Sequence, residues 1–176
     1  MPLSKLTSSL VNGTTTTYTY DGNGNQLTGA GRTFSINDKN QITGVSDGSA
    51  NDSYTYNGTD QTDRVQYNGA SAIYSSLGLS VDGAGGSSAT YYTRTNAGQL
   101  VNERTTSGTY YYLMDDLGSV LKVVDSSGSV KNSYSYDPFG NSLNKSETVS
   151  NSWQFASGYL DTTTGLYEVT LRSSQK

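Results

Sequence analysis

This chain of 176 residues contains no cysteine and no histidine. The absence of cysteine excludes a disulfide framework and a thiolate nucleophile. The absence of histidine excludes the Ser-His-Asp and Cys-His catalytic arrangements, the common zinc and iron sites, and the usual proton shuttle near neutral pH. We therefore predict no catalytic residue, no metal site and no bound cofactor, and a protein that is not an enzyme.

Charge and long apolar runs are also scarce. Charged residues make up 15% of the chain, and 11 basic against 15 acidic side chains give a formal net charge of −4. Because lysine and arginine are not clustered and the sequence pI is near 4.6, we expect no nucleic-acid partner. No run approaches the ~18 apolar residues of a membrane span, and the first residues lack the apolar core of a signal peptide.

Tyrosine and glycine, by contrast, are abundant, with 15 and 20 copies. Tyrosine and threonine favour strands, whereas glycine, asparagine and aspartate favour turns. Disordered segments typically have few aromatic residues and a high net charge. The composition therefore predicts an ordered, all-β protein.

One short pattern recurs along the chain. In YTYDGNGNQL, Tyr18 and Tyr20 alternate with a threonine and so lie on one face of a strand. Asp21–Asn25 then supplies residues that tolerate left-handed conformations, and Gln26 begins a return strand. Related segments occupy Phe34–Ile42, Tyr54–Thr62, Tyr92–Leu100 and Tyr134–Leu143. Because a single hairpin cannot bury its apolar face, we predict consecutive antiparallel β-hairpins that form a curled or spiralling sheet.

Shorter hairpins are expected between these segments. Their turns are predicted at Asp82–Gly86, Thr106–Gly108 and Asp125–Gly128. The stretch Tyr112–Val124 has some helical spacing, but Gly118 interrupts it and β-branched residues follow. We predict strand, turn, strand for this stretch.

Several aspartates resemble ligands or catalytic groups. Asp21–Asn25 looks like the start of an EF-hand loop, but Gln26 stands where that loop needs glycine and Arg32 where it needs glutamate. A hairpin turn is the better interpretation, and weak calcium binding at the turns stays open. Asp115 and Asp116 are adjacent, and neighbours on a strand face opposite sides, so we interpret them as turn or solvent-exposed residues rather than an acid-base pair.

Aromatic residues gather near the C-terminus at Trp153, Tyr159 and Tyr167. They form a candidate binding surface for a glycan or a cell-surface protein. The alternative interpretation places the only tryptophan in the core, where it anchors packing. Unpaired strand edges in such a sheet also favour self-association.

The most specific pattern lies in the second half. YYYLMDDLGSVLKVVDSSGSVKNSYSYDPFGNSL is followed by WQFASGYLDTTTGLYEVTLR. With the tyrosine-aspartate repeats, these segments resemble the YD-repeat, or rearrangement-hotspot (RHS) repeat, family, and the second half resembles the RHS repeat-associated core. The resemblance divides the chain into YD/RHS-repeat hairpins at 1–109 and a core-like segment at 110–176, continuous with the same sheet. It implies structural roles for the motif residues Tyr18, Tyr20, Asp21, Gly24, Tyr54, Tyr56, Gly118, Tyr134, Tyr136, Asp137, Pro138, Gly140 and Gly165.

In this family, which includes teneurins and the shells of insecticidal toxin complexes, the repeats form a long β-sheet that spirals into a hollow shell. In polymorphic toxins the shell encloses a C-terminal toxin, and an aspartate-bearing segment beyond the core performs self-cleavage. After Arg172 this sequence departs from that pattern. We therefore expect neither the self-cleavage segment nor the toxin here, and an extracellular or cell-surface location.

Three functions are compatible with the sequence. The first is a non-enzymatic shell or scaffold segment that self-assembles into an extracellular oligomer or filament, with further copies of itself as partner. The second is a binding module for glycans or a cell-surface protein. The third is a remnant of a polymorphic toxin shell.

Overall fold

The computed structural model describes residues 5–57, 64–162 and 165–168. The chain divides into two compact units, residues 1–69 and residues 70–176. In the described part of both units the secondary structure consists of antiparallel strands and, near the C-terminus, one short 3-10 turn. No helix in the described residues is long and apolar enough to cross a membrane.

The first unit is a succession of hairpins. Strands β1 (Ser8–Val11) and β2 (Thr14–Thr17) form a two-stranded sheet of their own. The strands that follow are β3 (Thr19–Tyr20), β4 (Gln26–Gly29), β5 (Arg32–Ile36), β6 (Ile42–Ser46), β7 (Asn51–Tyr56) and β8 (Arg64–Tyr67). From β3 to β8 each strand pairs antiparallel with the next along the chain.

The core of the first unit is small and aromatic. Tyr54 and Val45 are buried, and the Tyr54 ring stacks on that of Tyr67 at 5.7 Å between centroids. The Arg64 guanidinium covers the Tyr54 ring at 4.5 Å. Because an arginine side chain packs well on an aromatic face, this cation adds to the packing around Tyr54.

The second unit repeats the same architecture with longer strands. They are β9 (Ala70–Ser75), β10 (Gly78–Ala84), β11 (Thr90–Arg94), β12 (Leu100–Thr105), β13 (Gly108–Met114), β14 (Val120–Asp125), β15 (Val130–Tyr136) and β16 (Ser142–Glu147). Each of these again pairs antiparallel with the next. A 3-10 turn (Phe155–Ser157) and a small hairpin of β17 (Tyr159–Asp161) and β18 (Leu166–Glu168) follow.

Alternation along the strands gives the second unit one buried face. On β13, Tyr110 and Tyr112 are buried whereas Tyr111 and Leu113 are exposed. The core cluster on the buried face, which we call the inner face, comprises Leu79, Tyr110, Tyr112, Val120, Val123, Tyr134 and Trp153. Full burial of one aliphatic side chain contributes about 1.5–3 kcal/mol, and Val120 and Val123 on this face are both 0% exposed.

The all-β prediction of consecutive antiparallel hairpins is confirmed, and so is the strand, turn, strand prediction for Tyr112–Val124. The predicted turn at Asp82–Gly86 is wrong in its bounds. Asp82 and Gly83 belong to β10, which continues to Ala84 through a bulge, because Asp82 pairs with Thr90 on β11. The division at 109/110 falls inside β13 and stays a prediction.

Candidate functional site

A five-residue loop occurs six times in the described residues and explains the repeated sequence. We call it the repeated loop, and its copies begin at Asp21, Asn37, Thr95, Asp115, Asp125 and Asp137. In every copy the N–H of the first residue donates to the carbonyl of the fifth, and the N–H of the fourth donates to the carbonyl of the first, at 2.8–3.2 Å. The side-chain oxygen of the first residue accepts the N–H of the fifth. The fourth residue has a positive φ in all six copies and is glycine in five, because only residues tolerant of the left-handed region fit there.

The aspartates of these loops are structural acceptors. The Asn25 side chain, which donates to Asp21, holds the pKa of that carboxyl below its usual value, and Asn141 does the same for Asp137. The pKa of Asp125 is also lowered, most strongly by the hydrogen bond from the Ser127 hydroxyl and next by that from Lys131. In each of these three aspartates both carboxylate oxygens therefore bond to other groups of the protein. Among the described residues no group of three or more acidic side chains is arranged to hold a metal ion.

The tyrosine that precedes a repeated loop ties its hairpin to the one before. The hydroxyl of Tyr20 donates to the carbonyl of Leu6 at 2.8 Å. Tyr136 makes the same bond to Val120 at 3.1 Å. In the first unit, Tyr56 donates to the carbonyl of Ile42 at 2.8 Å, although the loop that follows lies outside the described residues. Each of these three bonds reaches back 14 to 16 residues, a contact that an aliphatic side chain at the same position, such as Ile36, cannot make.

The other motif tyrosines pack or bond within the sheets. Tyr18 shares a hydrogen bond of 3.0 Å with the hydroxyl of Ser9. Tyr134 is buried, stacks on Tyr136 with 6.2 Å between ring centroids, and donates its hydroxyl to Glu147 Oε1 at 2.6 Å. Tyr54 is also buried, and the structural role that the repeat pattern predicts for these residues stays a prediction.

Two motif glycines also make room for other parts of the chain. A Cβ atom on Gly140 would lie 2.7 Å from the ring of Phe155, and one on Gly118 would lie 2.1 Å from Ser157 Oγ. Gly165, with a φ of 69°, donates its N–H to the carbonyl of Asp161 at 2.7 Å. Pro138 is exposed at the second position of its loop, where its fixed φ suits the turn.

Residues 148–161, which we call the strap, cross the inner face after β16. The side chain of Asn132, only 1% exposed, holds the start of the strap. Its Oδ1 accepts the N–H groups of Thr148 and Val149 at 2.9 and 3.1 Å, and its Nδ2 donates to the carbonyl of Val149 at 2.9 Å. Because one buried amide satisfies three backbone groups, the strap has a fixed position there.

Further along, the strap is bonded to the repeated loop that begins at Asp115. The N–H of Val120 donates to the carbonyl of Gln154 at 3.0 Å, and the N–H of Ser157 donates to the carbonyl of Gly118 at 3.1 Å. The Ser119 hydroxyl accepts the N–H of Ala156 at 3.2 Å. These contacts join segments almost 40 residues apart in sequence and close the core over Val120.

A carboxyl group, Glu103, is buried on the inner face at 2% exposure. Its Oε2 accepts the hydroxyl of Tyr112 at 2.6 Å, whereas Oε1 has no hydrogen-bond partner among the described residues. Burial raises the pKa of Glu103 to about 6, although the bond from Tyr112 opposes the shift. Burial likewise raises the pKa of Tyr92 and of Tyr112 well above the usual value. All three groups are therefore protonated more readily than in water.

The predicted aromatic residues are brought together as packing partners. Trp153 is 9% exposed and makes edge-on contacts with Tyr92 and Tyr159, at 5.7 and 5.3 Å between ring centroids. The guanidinium of Arg94 lies 4.7 Å from the Trp153 ring. Tyr167 is half-buried and its hydroxyl bonds to Gln154 Oε1 at 3.3 Å. Their role in ligand binding stays a prediction.

A cleft of about 670 Å³ lies in the second unit between its loops and the strap. Its wall includes the aromatic residues Trp153 and Tyr159, the aliphatic Leu117, the cation Arg94 and the acidic Asp116. Asp115, beside Asp116, accepts the N–H groups of its own loop, as the turn interpretation predicts. Asp115 Oδ1 thus serves as a backbone hydrogen-bond acceptor of its own turn.

Strand β16 forms an open edge of the sheet. All six of its residues are exposed, and it pairs with β15 and with no other strand in the described ranges. Its only charged side chains, Lys145 and Glu147, form an ion pair at 3.0 Å. Both lie on the inner face, because their register partners on β15 are Tyr134 and Asn132.

Sequence reasoning did not single out the buried polar residues Glu103, Asn132 and Asn151. Each lies in a stretch of mixed polarity, such as LVNERT for Glu103, whose alternation does not say which positions face inward. Strand register is what identifies Glu103 as an inward-facing residue, because Glu103 lies opposite Tyr92 and Tyr110, both of which are aromatic and face inward. Register is a tertiary property and could not be read from the local pattern.

A model of the teneurin YD-shell family matches residues 83–174, just over half of the chain. No curated protein matches the sequence significantly.

Among solved structures, a crystal structure of TcdB2-TccC3 superposes with a TM-score of 0.61 at 16% identity, covering 84% of this chain and 9% of that one. The Photorhabdus luminescens Tc holotoxin pore gives 0.60 at 17% identity, covering 84% and 8%. A TcdB2-TccC3-Cdc42 structure gives 0.62 at 16% identity, covering 88% and 10%. These structures share the fold, and the present chain spans about a tenth of their length.

Proposed function

This chain belongs to the teneurin YD-shell family, and we propose that it is a non-enzymatic structural module that assembles with further copies of itself into an extracellular oligomer or filament. The observation that carries the proposal is the open edge at β16, where a whole strand is exposed and pairs on one side within the described residues. A strand edge presents unpaired N–H and C=O groups and is a ready template for another strand.

The use of the polar side chains supports a structural role. In the repeated loops the aspartates bind backbone N–H groups, and in the core Asn132 binds the strap. Groups used in this way are not free to bind substrate or to transfer protons. Fold likeness is consistent with this role, because one solved structure that shares the fold is that of the Photorhabdus luminescens Tc holotoxin pore.

The test is the mass of the purified protein by light scattering over a range of concentrations, together with electron microscopy. We expect oligomers that grow with concentration. Leu143→Lys, which places a charge on the exposed edge strand, should reduce assembly, whereas Val130→Lys is a matched control on β15, which is not an edge. A wild-type protein that stays monomeric at the highest concentration would overturn the proposal.

A second candidate function is binding of a glycan or surface ligand, and the cleft in the second unit favours it. The cleft combines aromatic walls with a cation and carboxylates, which is the kind of lining that orients a polar ligand. A glycan array probed with the labelled protein tests this function. The absence of any signal above background would exclude glycans as ligands.

A further inference from the structure

We propose that β16 pairs antiparallel with β16 of a second copy, centred on Ser146, so that Lys145 of each copy faces the partner's Glu147. This inference rests on the proposed function, because it names the contact through which assembly begins. It is independent of the cleft.

The first step of the reasoning concerns the backbone. From Asn144 to Glu147 one side of β16 is paired in continuous register with β15, and the N–H of Thr148 continues that pairing by donating to the carbonyl of Lys131 at 3.2 Å. The edge available to another strand therefore extends to Thr148. No other strand in the described ranges lies against its free side.

The second step concerns protection. Natural edge strands are commonly guarded by a lone lysine, a proline or a bulge in mid-strand. β16 contains no proline, and its register irregularity lies between Ser142 and Asn144, before the segment 144–148. The charge of Lys145 is balanced by Glu147 on the same strand, at 3.0 Å. This edge therefore carries no net charge that would repel a second copy.

The third step fixes the register. Residues directly opposite each other in an antiparallel pair point to the same face of the sheet. If the inner faces of the two copies lie on one side of the joint sheet, Lys145 of one copy must therefore lie opposite an odd-numbered residue of the other. A pair centred on Lys145 would oppose two lysines, and one centred on Glu147 would oppose two glutamates. Centring on Ser146 opposes lysine with glutamate twice. Opposite charges in directly facing positions stabilise a strand pair, and like charges destabilise it, so this register is favoured.

The fourth step concerns strength. The paired segment is short, residues 144–148, and its centre is two serines. A short edge pair without a large apolar core is a weak contact, so we expect a dimer that is populated at high protein concentration and exchanges readily.

The natural absence of cysteine allows a direct test by cross-linking. In Ser146→Cys the two thiols would face each other across the twofold axis, with about 4.5–5.5 Å between Cα atoms, which is within disulfide range. Asn144→Cys is the matched control: it lies on the same strand and face and is also exposed. Its two copies would be four residues apart along the pair, roughly 14 Å, which no disulfide spans.

We expect mild oxidation to give a covalent dimer with Ser146→Cys, in a concentration-dependent way, and none with Asn144→Cys. Adding Lys145→Glu to Ser146→Cys replaces two attractive pairs by two repulsive ones, and should slow dimer formation roughly tenfold at low salt, with partial recovery at high salt. Equal cross-linking of the two cysteine variants, or cross-linking of Asn144→Cys alone, would overturn the register.

Hydrogen exchange on the wild-type protein provides a second measurement that needs no substitution. Protection of the β16 amides should rise with protein concentration, whereas that of the β14 amides should not. Oligomers by light scattering without such protection would overturn this inference and leave the proposed function intact. A protein that remains monomeric by light scattering would overturn both.

Discussion

Replacing Glu103 by glutamine should change how the stability of the protein depends on pH. The carboxyl group is 2% exposed, and tyrosines face it from both neighbouring strands: Tyr92 on β11, and Tyr110 and Tyr112 on β13. Its pKa is raised to about 6 because burial disfavours the charged form.

The magnitude follows from linkage. The pKa of a glutamate in the unfolded chain is 4.5, so folding raises it by about 1.5 units, and each unit corresponds to about 1.4 kcal/mol. The folded state holds the proton more tightly than the unfolded state. The contribution of Glu103 to stability is therefore fully present below pH 4.5 and is lost as the pH rises through 6. Above pH 7 the ionised group lowers the free energy of unfolding by about 2 kcal/mol relative to its neutral form.

Glutamine cannot ionise, and its amide oxygen still accepts the hydroxyl of Tyr112. We expect the free energy of unfolding of Glu103→Gln, minus that of the wild type, to be about 2 kcal/mol larger at pH 8 than at pH 4. Urea unfolding followed by the fluorescence of Trp153, the only tryptophan and one that is 9% exposed, measures both proteins. The subtraction removes the opposite pH dependence of loop aspartates such as Asp125, whose pKa is lowered.

Two further variants identify the cause. Tyr112→Phe removes the hydroxyl that donates to the carboxylate and should destabilise the protein more at pH 8 than at pH 4, because charge-assisted bonds are the stronger ones. Tyr110→Phe is the matched control, since Tyr110 also faces Glu103 but makes no hydrogen bond through its hydroxyl in the described part of the chain. A difference between Glu103→Gln and wild type that is the same at pH 4 and pH 8 would refute the assignment of a buried, titrating carboxyl group.

Two other predictions concern the strap. Gly140→Ala and Gly128→Ala impose the same backbone strain, at φ of 86° and 84°, but only Gly140 faces the ring of Phe155. Thermal unfolding should therefore show Gly140→Ala to be less stable than Gly128→Ala by ~1–3 kcal/mol. Equal losses of stability in the two variants would contradict the contact. Asn132→Ala should cost about 2–3 kcal/mol and speed hydrogen exchange at the start of the strap, because it leaves buried backbone groups without partners. The exposed Asn144→Ala is its control, and similar exchange in both variants would show that Asn132 does not hold the strap.

The strand order and the repeated loop could be predicted from the sequence because both are local. The loop Asp137–Asn141 shows why. The side chain of its first residue, its left-handed fourth residue and its closing hydrogen bonds all lie within five positions, so the local sequence specifies the turn. Tyr20 and Tyr136 were likewise identified by their place in the motif. Their hydrogen-bond acceptors were not, because a carbonyl group is present on every residue and its identity depends on register.

The extent of β10 was harder to predict for a related reason. Asp82 and Gly83 are turn-forming residue types, but pairing with β11 and the hydrogen bond from Tyr159 to Asp82 keep them in the strand. Here tertiary contacts overrode local propensity.

The sequence by itself determined an all-β chain of consecutive hairpins, the places of most turns, and the structural character of its aspartates and glycines, because these depend on backbone conformations and bonds that span few residues. Only the tertiary structure decided that Glu103 is buried without a full set of partners, that Asn132 anchors the strap, and that β16 is left open at the edge, as far as the described residues extend. Each of these depends on which distant segment packs against which strand. The strap contacts Gly118, which is almost 40 residues away in the sequence, and a local sequence pattern cannot predict a contact between segments so far apart.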